Sequence, residues 1–225
     1  MLMTKQITRY AAIALFASVL LISNTISFAD AQTTNIRYKG QSADAAWYFE
    51  QDEVYTNVYV FATDSSSRQK SDTFTDSVSY VGISQYKLGD EVCYEYDGEQ
   101  YCWNEYVPIQ EYFGYGTITS ENFQTQGRLD GATLDATLTG HNYLTESDHI
   151  ITVNIDWTGE GDYSSGKSSY HYRSGEYMYN GNYVSFYRQA TATGTIGGDI
   201  KMDLGSSSWG SLYNAKTGYV DVIHP

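Results

Sequence analysis

The chain has 225 residues, with 13 Lys plus Arg against 27 Asp plus Glu and a formal net charge of −14. That balance excludes a nucleic-acid binder, which needs a clustered basic footprint to displace counterions from phosphates. With 23 tyrosines and 20 glycines, and Ala, Leu and Lys sparse beyond the N-terminal segment, the composition also excludes long amphipathic helices and points to an all-β domain.

Residues 1–31 read as a secretory signal peptide. Lys5 and Arg9 form a basic start, residues 11–22 are an apolar run, and small-x-small sites follow at Ser27-Phe28-Ala29 and Ala29-Asp30-Ala31. The run is shorter than the roughly 20 residues a membrane span requires, and no later segment is apolar enough for one. An uncleaved anchor is the alternative. Cleavage after Ala31 removes two basic residues (Lys5, Arg9) and one acidic residue (Asp30), taking the net charge from −14 to −15. An exported, extracellular or cell-surface protein is expected, with residues 32–225 as a single all-β domain. Its acidity suits divalent cations, neutral sugars or basic partners, and equally plain solubility.

Strands are predicted over 36–38 and 43–50. In the second, Ala43, Ala45, Trp47 and Phe49 alternate with Asp44, Tyr48 and Glu50. The next, 54–62, has Val54, Val58 and Val60 on one face and Tyr55, Tyr59 and Phe61 on the other, as for a strand covered on both sides. The segments 40–48 (Gly40 to Tyr48) and 55–60 (Tyr55 to Val60), with 83–86 and 157–162, resemble the corresponding parts of a group of secreted prokaryotic Tyr/Trp-rich all-β proteins with no assigned function. The resemblance implies an all-β fold and no particular activity.

The polar stretch 63–76 reads as a surface loop. Its Asp64, Asp72 and Asp76 are the types of oxygen ligand calcium needs, but the spacing of an EF-hand is missing and an ordinary solvated loop is the expected reading; no metal is implied. After a strand over 78–87, Cys93 and Cys102 flank Asp97-Gly98, the pair favoured in a type I′ hairpin turn. With that turn Cys93 opposes Cys102 at a non-hydrogen-bonded pair, close enough for a disulfide. Glu91, Glu95, Gln100 and Asn104 share the cysteine face, which is expected in solvent. Val92, Tyr94, Tyr96, Tyr101 and Trp103 share the other, expected in the core, with a ligand platform as its alternative.

Beyond Pro108, a strand is predicted over 112–119, then a turn at Asp130-Gly131. Ala132, Leu134, Ala136 and Leu138 have the phase to pair with Ile151, Val153, Ile155 and Trp157 across a loop over 140–149. Residues 161–168 then match the phosphate-loop pattern, from Gly161 through Gly166-Lys167-Ser168. The required helix does not follow: aromatics alternate through 168–172, and Ser174-Gly175 and Asn180-Gly181 both signal turns. The match is accidental, and 159–168 is expected to be a Gly/Ser connection. If Asn180-Gly181 closes a hairpin, Tyr177 opposes Val184 and Tyr179 opposes Asn182.

Gly-x-Ser-x-Gly and His-Glu-x-x-His motifs are absent, and the four histidines (His141, His149, His171, His224) are scattered. No cofactor is implied and catalysis is not expected. The fold expected is a single antiparallel β-sandwich of ten to twelve strands, with a closed β-barrel as runner-up. The function expected is a secreted non-catalytic binding module for polysaccharide or another surface ligand, using Tyr170, Tyr172, Tyr177, Tyr179, Tyr183 and Tyr187. A self-associating adhesive or structural surface protein is the alternative, and a secreted carboxylate-dependent hydrolase the third reading.

Overall fold

The computed structural model describes residues 34–175 and 177–223; the signal peptide expected over 1–31 lies outside them. Over the described residues the chain is β, joined by short turns and connections. Its strands are β1 (Thr34–Gln51), β2 (Val54–Gln69), β3 (Asp72–Tyr96), β4 (Glu99–Thr117), β5 (Phe123–Gln126), β6 (Gly131–Asn142), β7 (Ser147–Ser174), β8 (Tyr177–Gly198), β9 (Met202–Leu204) and β10 (Trp209–Ile223). All pairings are antiparallel and belong to one sheet. Its order runs β10-β1-β2-β3-β4-β6-β7-β8, and β10 also pairs with β8, so the hydrogen bonding closes into a ring. β5 and β9 are short additions on β6 and β8. Among the described residues no helix is long and apolar enough to cross a membrane.

The alternating sequence of β6 and β7 produces the core as expected. Ala132 pairs with Trp157, Leu134 with Ile155, Ala136 with Val153 and Leu138 with Ile151. All eight are buried, while Thr133, Asp135 and Thr137 on β6 and Thr152, Asn154 and Asp156 on β7 face water. From the opposite wall come Ala43, Ala45 and Trp47 of β1, Val58 and Val60 of β2, and Val81 and Ile83 of β3. Both buried indoles find an acceptor across the interior. Trp157 Nε1 donates to the Asp44 carbonyl at 2.9 Å, and Trp47 Nε1 donates to the Gly205 carbonyl at 2.8 Å. A buried N–H without a partner would cost 1–3 kcal/mol, roughly.

β4 and β6 touch over only four residue pairs, Tyr112 with Asn142 through Tyr115 with Thr139. Gly114 faces Gly140 there, and a Cβ on either would overlap Val81 or Ile151 side-chain atoms. Elsewhere the strands outrun the ring. At the end carrying the turns after β1, β3 and β6, here called lower, β3 and β4 continue as a two-stranded arm. At the opposite, upper end β7 and β8 continue alongside β10, β1, β2 and the start of β3.

Several expected loops are therefore strand. Residues 36–38 and 43–50 are one strand, β1. The Ser/Asp stretch 63–76 is the upper part of β2 and β3 around a turn at Lys70-Ser71, because each residue finds a backbone partner in β1 or across the hairpin. Asp64 shares the inner face with Val60 and Ala62, whereas Asp76 opposes Ser65 on the outer face, so the three aspartates considered for calcium do not converge. The loop expected over 140–149 shortens to 143–146. Residues 159–168 belong to β7, with a bulge between Glu160 and Ser164 in place of a connection. The phosphate-loop match thus lies in extended chain without a following helix. Asn180 and Gly181 sit mid-strand, opposite His171 and Tyr170, and the hairpin turns at Gly175.

Ile155→Ala is expected to cost about 2–5 kcal/mol in urea unfolding, from lost burial plus the cavity left behind. Gly194→Ala, whose methyl would overlap the Asn154 carbonyl oxygen, is expected to cost about 1–3 kcal/mol, while Thr137→Ala on the wet face should stay within about 0.5 kcal/mol of wild type.

Candidate functional site

The outer face of β2, β3 and β4 is aromatic, unlike the Thr/Asp face of β6 and β7. Register aligns three rows across it: Asn57–Ser84–Glu111, Tyr59–Gly82–Phe113 and Phe61–Tyr80–Tyr115. In the third row Phe61 stacks on Tyr80 with centroids 4.7 Å apart, and Tyr80 also approaches Phe113 at 6.1 Å. In the middle row glycine replaces the central side chain. A Cβ at Gly82 would meet nothing within 4 Å, so Tyr59 and Phe113 stand on either side of an open slot. The slot is part of a groove of about 330 Å³ whose lining also includes Tyr48, Tyr143, Asn57, Ser84 and Glu111. Tyr59 is 38 % exposed and Phe113 44 %. Sequence reading missed this site; the residues belong to three separate strands, and only register places Gly82 between two rings.

Beside the groove, Asp44 lies on the outer face of β1 between Phe61 and Ser211 and is buried. Burial pushes its carboxyl up to about 6, against the opposing pull of the Ser211 hydroxyl, which donates to Oδ1 at 2.5 Å. The hydroxyl of Tyr59 is raised by burial and then by the charge of Asp44. The same two causes act on Tyr187 and Tyr80. Tyr59 on β2 and Tyr187 on β8 thus both sense Asp44, whose strand β1 lies between theirs on the path β2-β1-β10-β8.

The second surface contains the six tyrosines singled out from sequence. Although the expected Asn180-Gly181 turn is absent, the actual register puts Tyr170 and Tyr172 of β7 and Tyr177, Tyr179, Tyr183 and Tyr187 of β8 on one face. Tyr172 and Tyr179 have ring centroids 6.2 Å apart, and Tyr177 and Tyr179 6.5 Å. The Tyr170 ring lies over Gly181, where a Cβ would collide with it, so this glycine serves ring packing and not a turn. Tyr172 and Tyr187 are exposed, and the other four are half-buried.

The lower arm is stapled by the expected disulfide between Cys93 and Cys102, with a Cα–Cα distance of 4.1 Å and positive φ at Asp97 and Gly98 in the turn. Its aromatic side is not core. Tyr94, Tyr101 and Trp103 pack on one another with centroids 5.4 and 5.5 Å apart, yet all remain exposed, because β3 and β4 have left the ring before reaching them. Glu91 lies beside the two sulfurs, but bonded to each other they offer no thiolate to a metal.

At the lower rim Ser147 Oγ is 2.9 Å from His149 Nε2, and His149 Nδ1 is 3.6 Å from Asp199 Oδ2. The order of groups is that of a hydrolytic relay. Structural ties account for the same contacts: Ser147 Oγ is also 2.6 Å from Thr145 Oγ1 in the β6–β7 turn, and Asp199 Oδ2 accepts the Ile150 backbone N–H at 3.0 Å.

No family model matches the chain, and no curated protein matches it. Among solved structures, the enduracididine biosynthesis enzyme MppR, complexed with the condensation product of pyruvate and imidazole 4-carboxaldehyde, aligns over 90 % of this chain and 91 % of its own at 6 % identity. Its TM-score of 0.14 is too low to relate the folds.

Because the fold favours protonated Asp44, this residue's contribution to stability is present below its unfolded pKa, 3.8, and is lost as pH rises through about 6. Asp44→Asn is expected to remove that loss, gaining about 2 kcal/mol over wild type at pH 7.5 and little at pH 4. Urea midpoints of the two proteins at both pH values measure it; an unchanged difference between them would remove the assignment.

Proposed function

We propose that the protein is an exported, non-catalytic module that binds neutral carbohydrate on its outer aromatic face, with the Tyr59–Gly82–Phe113 groove as the principal subsite. The observation that carries this reading is the pair of exposed rings held two strands apart, about 9.5 Å between strand axes, over a glycine floor. Such a slot receives the C–H faces of a sugar ring, while Asn57, Ser84 and Glu111 offer donors and acceptors to its hydroxyls. The tyrosine face of β7 and β8 extends the contact for a polymeric ligand. In this reading the ring is a closed barrel, the arrangement in which β10 joins β8 to β1 and the middle of the sheet has no edge. Export rests on the sequence of residues 1–31.

Retention on a panel of insoluble polysaccharides tests the reading. Tyr59→Ala and Phe113→Ala are each expected to weaken retention about tenfold or more, and Gly82→Val to abolish it without lowering Tm, since its side chain enters open space. Tyr172→Ala should have a smaller effect. No retention on any member of the panel, or full retention by the Gly82→Val protein, would sink the proposal. The non-catalytic part has its own check: a fluorophosphonate probe is expected to leave Ser147 unlabelled, and stoichiometric labelling there would reverse it.

A further inference from the structure

The two ends of the molecule are complementary in strand number, charge and surface. Above the β4–β6 seam the ring lacks two strands: β4 stops at Thr117 and β6 begins at Gly131. What remains is a six-stranded trough in the order β3-β2-β1-β10-β8-β7. Its margins, residues 72–76 of β3 and 160–169 of β7, have no strand partner on their outer side among the described residues. At the other end β3 and β4 project as a two-stranded arm, residues 89–105.

Within the overall net charge of −14, the inner face of the trough is mainly basic and the arm wholly acidic. Arg37 and Lys39 of β1, Arg68 of β2, and Lys167 and Arg173 of β7 share the inner face of the trough and are exposed, outnumbering Asp64 and Asp221 on the same face, while Asp72, Asp76, Glu160 and Asp162 belong to the margins. Arg37 and Arg68 are direct cross-strand partners, a like-charge pairing that costs stability unless an anion joins it. The arm carries Asp90, Glu91, Glu95, Asp97, Glu99 and Glu105, all exposed, with Glu91 and Glu95 on its disulfide face. Its aromatic face carries Tyr94, Tyr101 and Trp103 in water, an arrangement that an isolated two-stranded hairpin does not stabilise by itself.

We propose that the β3/β4 arm of one molecule docks between the two free margins of the trough in a second copy of this chain, making a head-to-tail assembly. The disulfide face, with Glu91 and Glu95, turns toward the basic inner face. The face with Tyr94, Tyr101 and Trp103 turns outward and continues the tyrosine surface of β7 and β8. Backbone hydrogen bonds to residues 72–76 and 160–169 complete the sheet by strand addition. Arm and trough lie at opposite ends, so a molecule cannot fill its own gap, and a heterologous contact of this kind propagates into a chain unless a rotation happens to close it. The disulfide holds the arm in its docking shape and lowers the ordering cost. This surface is separate from the Gly82 groove, so sugar binding and assembly stand or fall independently.

Sedimentation velocity and negative-stain microscopy of the purified protein, over a range of concentration and salt, test the proposal. The mean mass of wild type is expected to rise with concentration and to fall as salt screens the charges. The arm variant Glu91→Lys/Glu95→Lys and the trough variant Arg68→Glu/Lys167→Glu should each associate about tenfold or more weakly, with Tm unchanged because all four side chains are exposed. Mixed together, the two variants should regain assembly, because the unchanged arm of one fits the unchanged trough of the other and the reversed arm meets the reversed trough. A wild type that stays monomeric at its highest soluble concentration would overturn the proposal. So would variants that assemble like wild type, or a mixture that assembles no better than either variant alone.

Discussion

The shortness of the β4–β6 seam governs the molecule. Around the rest of the ring, neighbouring strands share long ladders, but here only four pairs close the circuit, beside two glycines whose missing side chains admit Ile151 and Val81. A longer seam would have absorbed the upper residues missing from β4 and β6. Because it is short, β3 and β4 leave the ring downward, and β7 and β8 leave it upward with only each other and β10 for company. The exposed aromatics of the arm, the tyrosines of β7 and β8, and the two free margins all follow from that one local closure.

β1 is where the inside and outside of the ring are tied together. Its residues 42–47 are buried on both faces, unlike β6, where buried and wet positions alternate. Inside, Ala43, Ala45 and Trp47 pack in the core, and the Asp44 carbonyl accepts the Trp157 indole N–H from the far wall. Outside, the Asp44 carboxyl is buried between Phe61 of β2 and Ser211 of β10 and accepts the Ser211 hydroxyl. The outward-facing residues of this stretch, Ser42, Asp44 and Ala46, are small, and their partners on the flanking strands include Phe61, Tyr59 and Tyr213. The energetic consequence is an ionisable group held where charge is unfavourable.

What could be read from sequence was whatever rests on local geometry. The type I′ turn at Asp97-Gly98 fixes Cys93 opposite Cys102 through a few bonds, and the alternation of 132–138 and 151–157 fixes one hairpin of the core in its correct register. The failures share a cause. Ser- and Asp-rich residues 63–76 and Gly/Ser-rich residues 159–168 bury little, so they carry no hydrophobic period, yet a neighbouring strand supplies backbone partners that override composition. Asn180-Gly181 has turn chemistry, but its glycine is used to seat the Tyr170 ring. The aromatic face of the arm looked like core because its alternation is that of core; only the length of the ring decides that these residues lie beyond it.

The Gly82 slot shows why a binding surface on such a sheet leaves no motif. Each of Tyr59, Gly82 and Phe113 is unremarkable in its own strand, where aromatics and glycines are frequent. The slot exists because two hairpin registers, Tyr59 with Gly82 and Gly82 with Phe113, bring the one residue without a side chain between two that are large. A slip of one residue in either hairpin would put Gly82 beside inward-facing residues and close the slot with side chains from the other face. Recognition chemistry is thus written in pairing, and the core that enforces the pairing, Val58, Val60, Val81 and Ile83 on the reverse of the same strands, is part of the site.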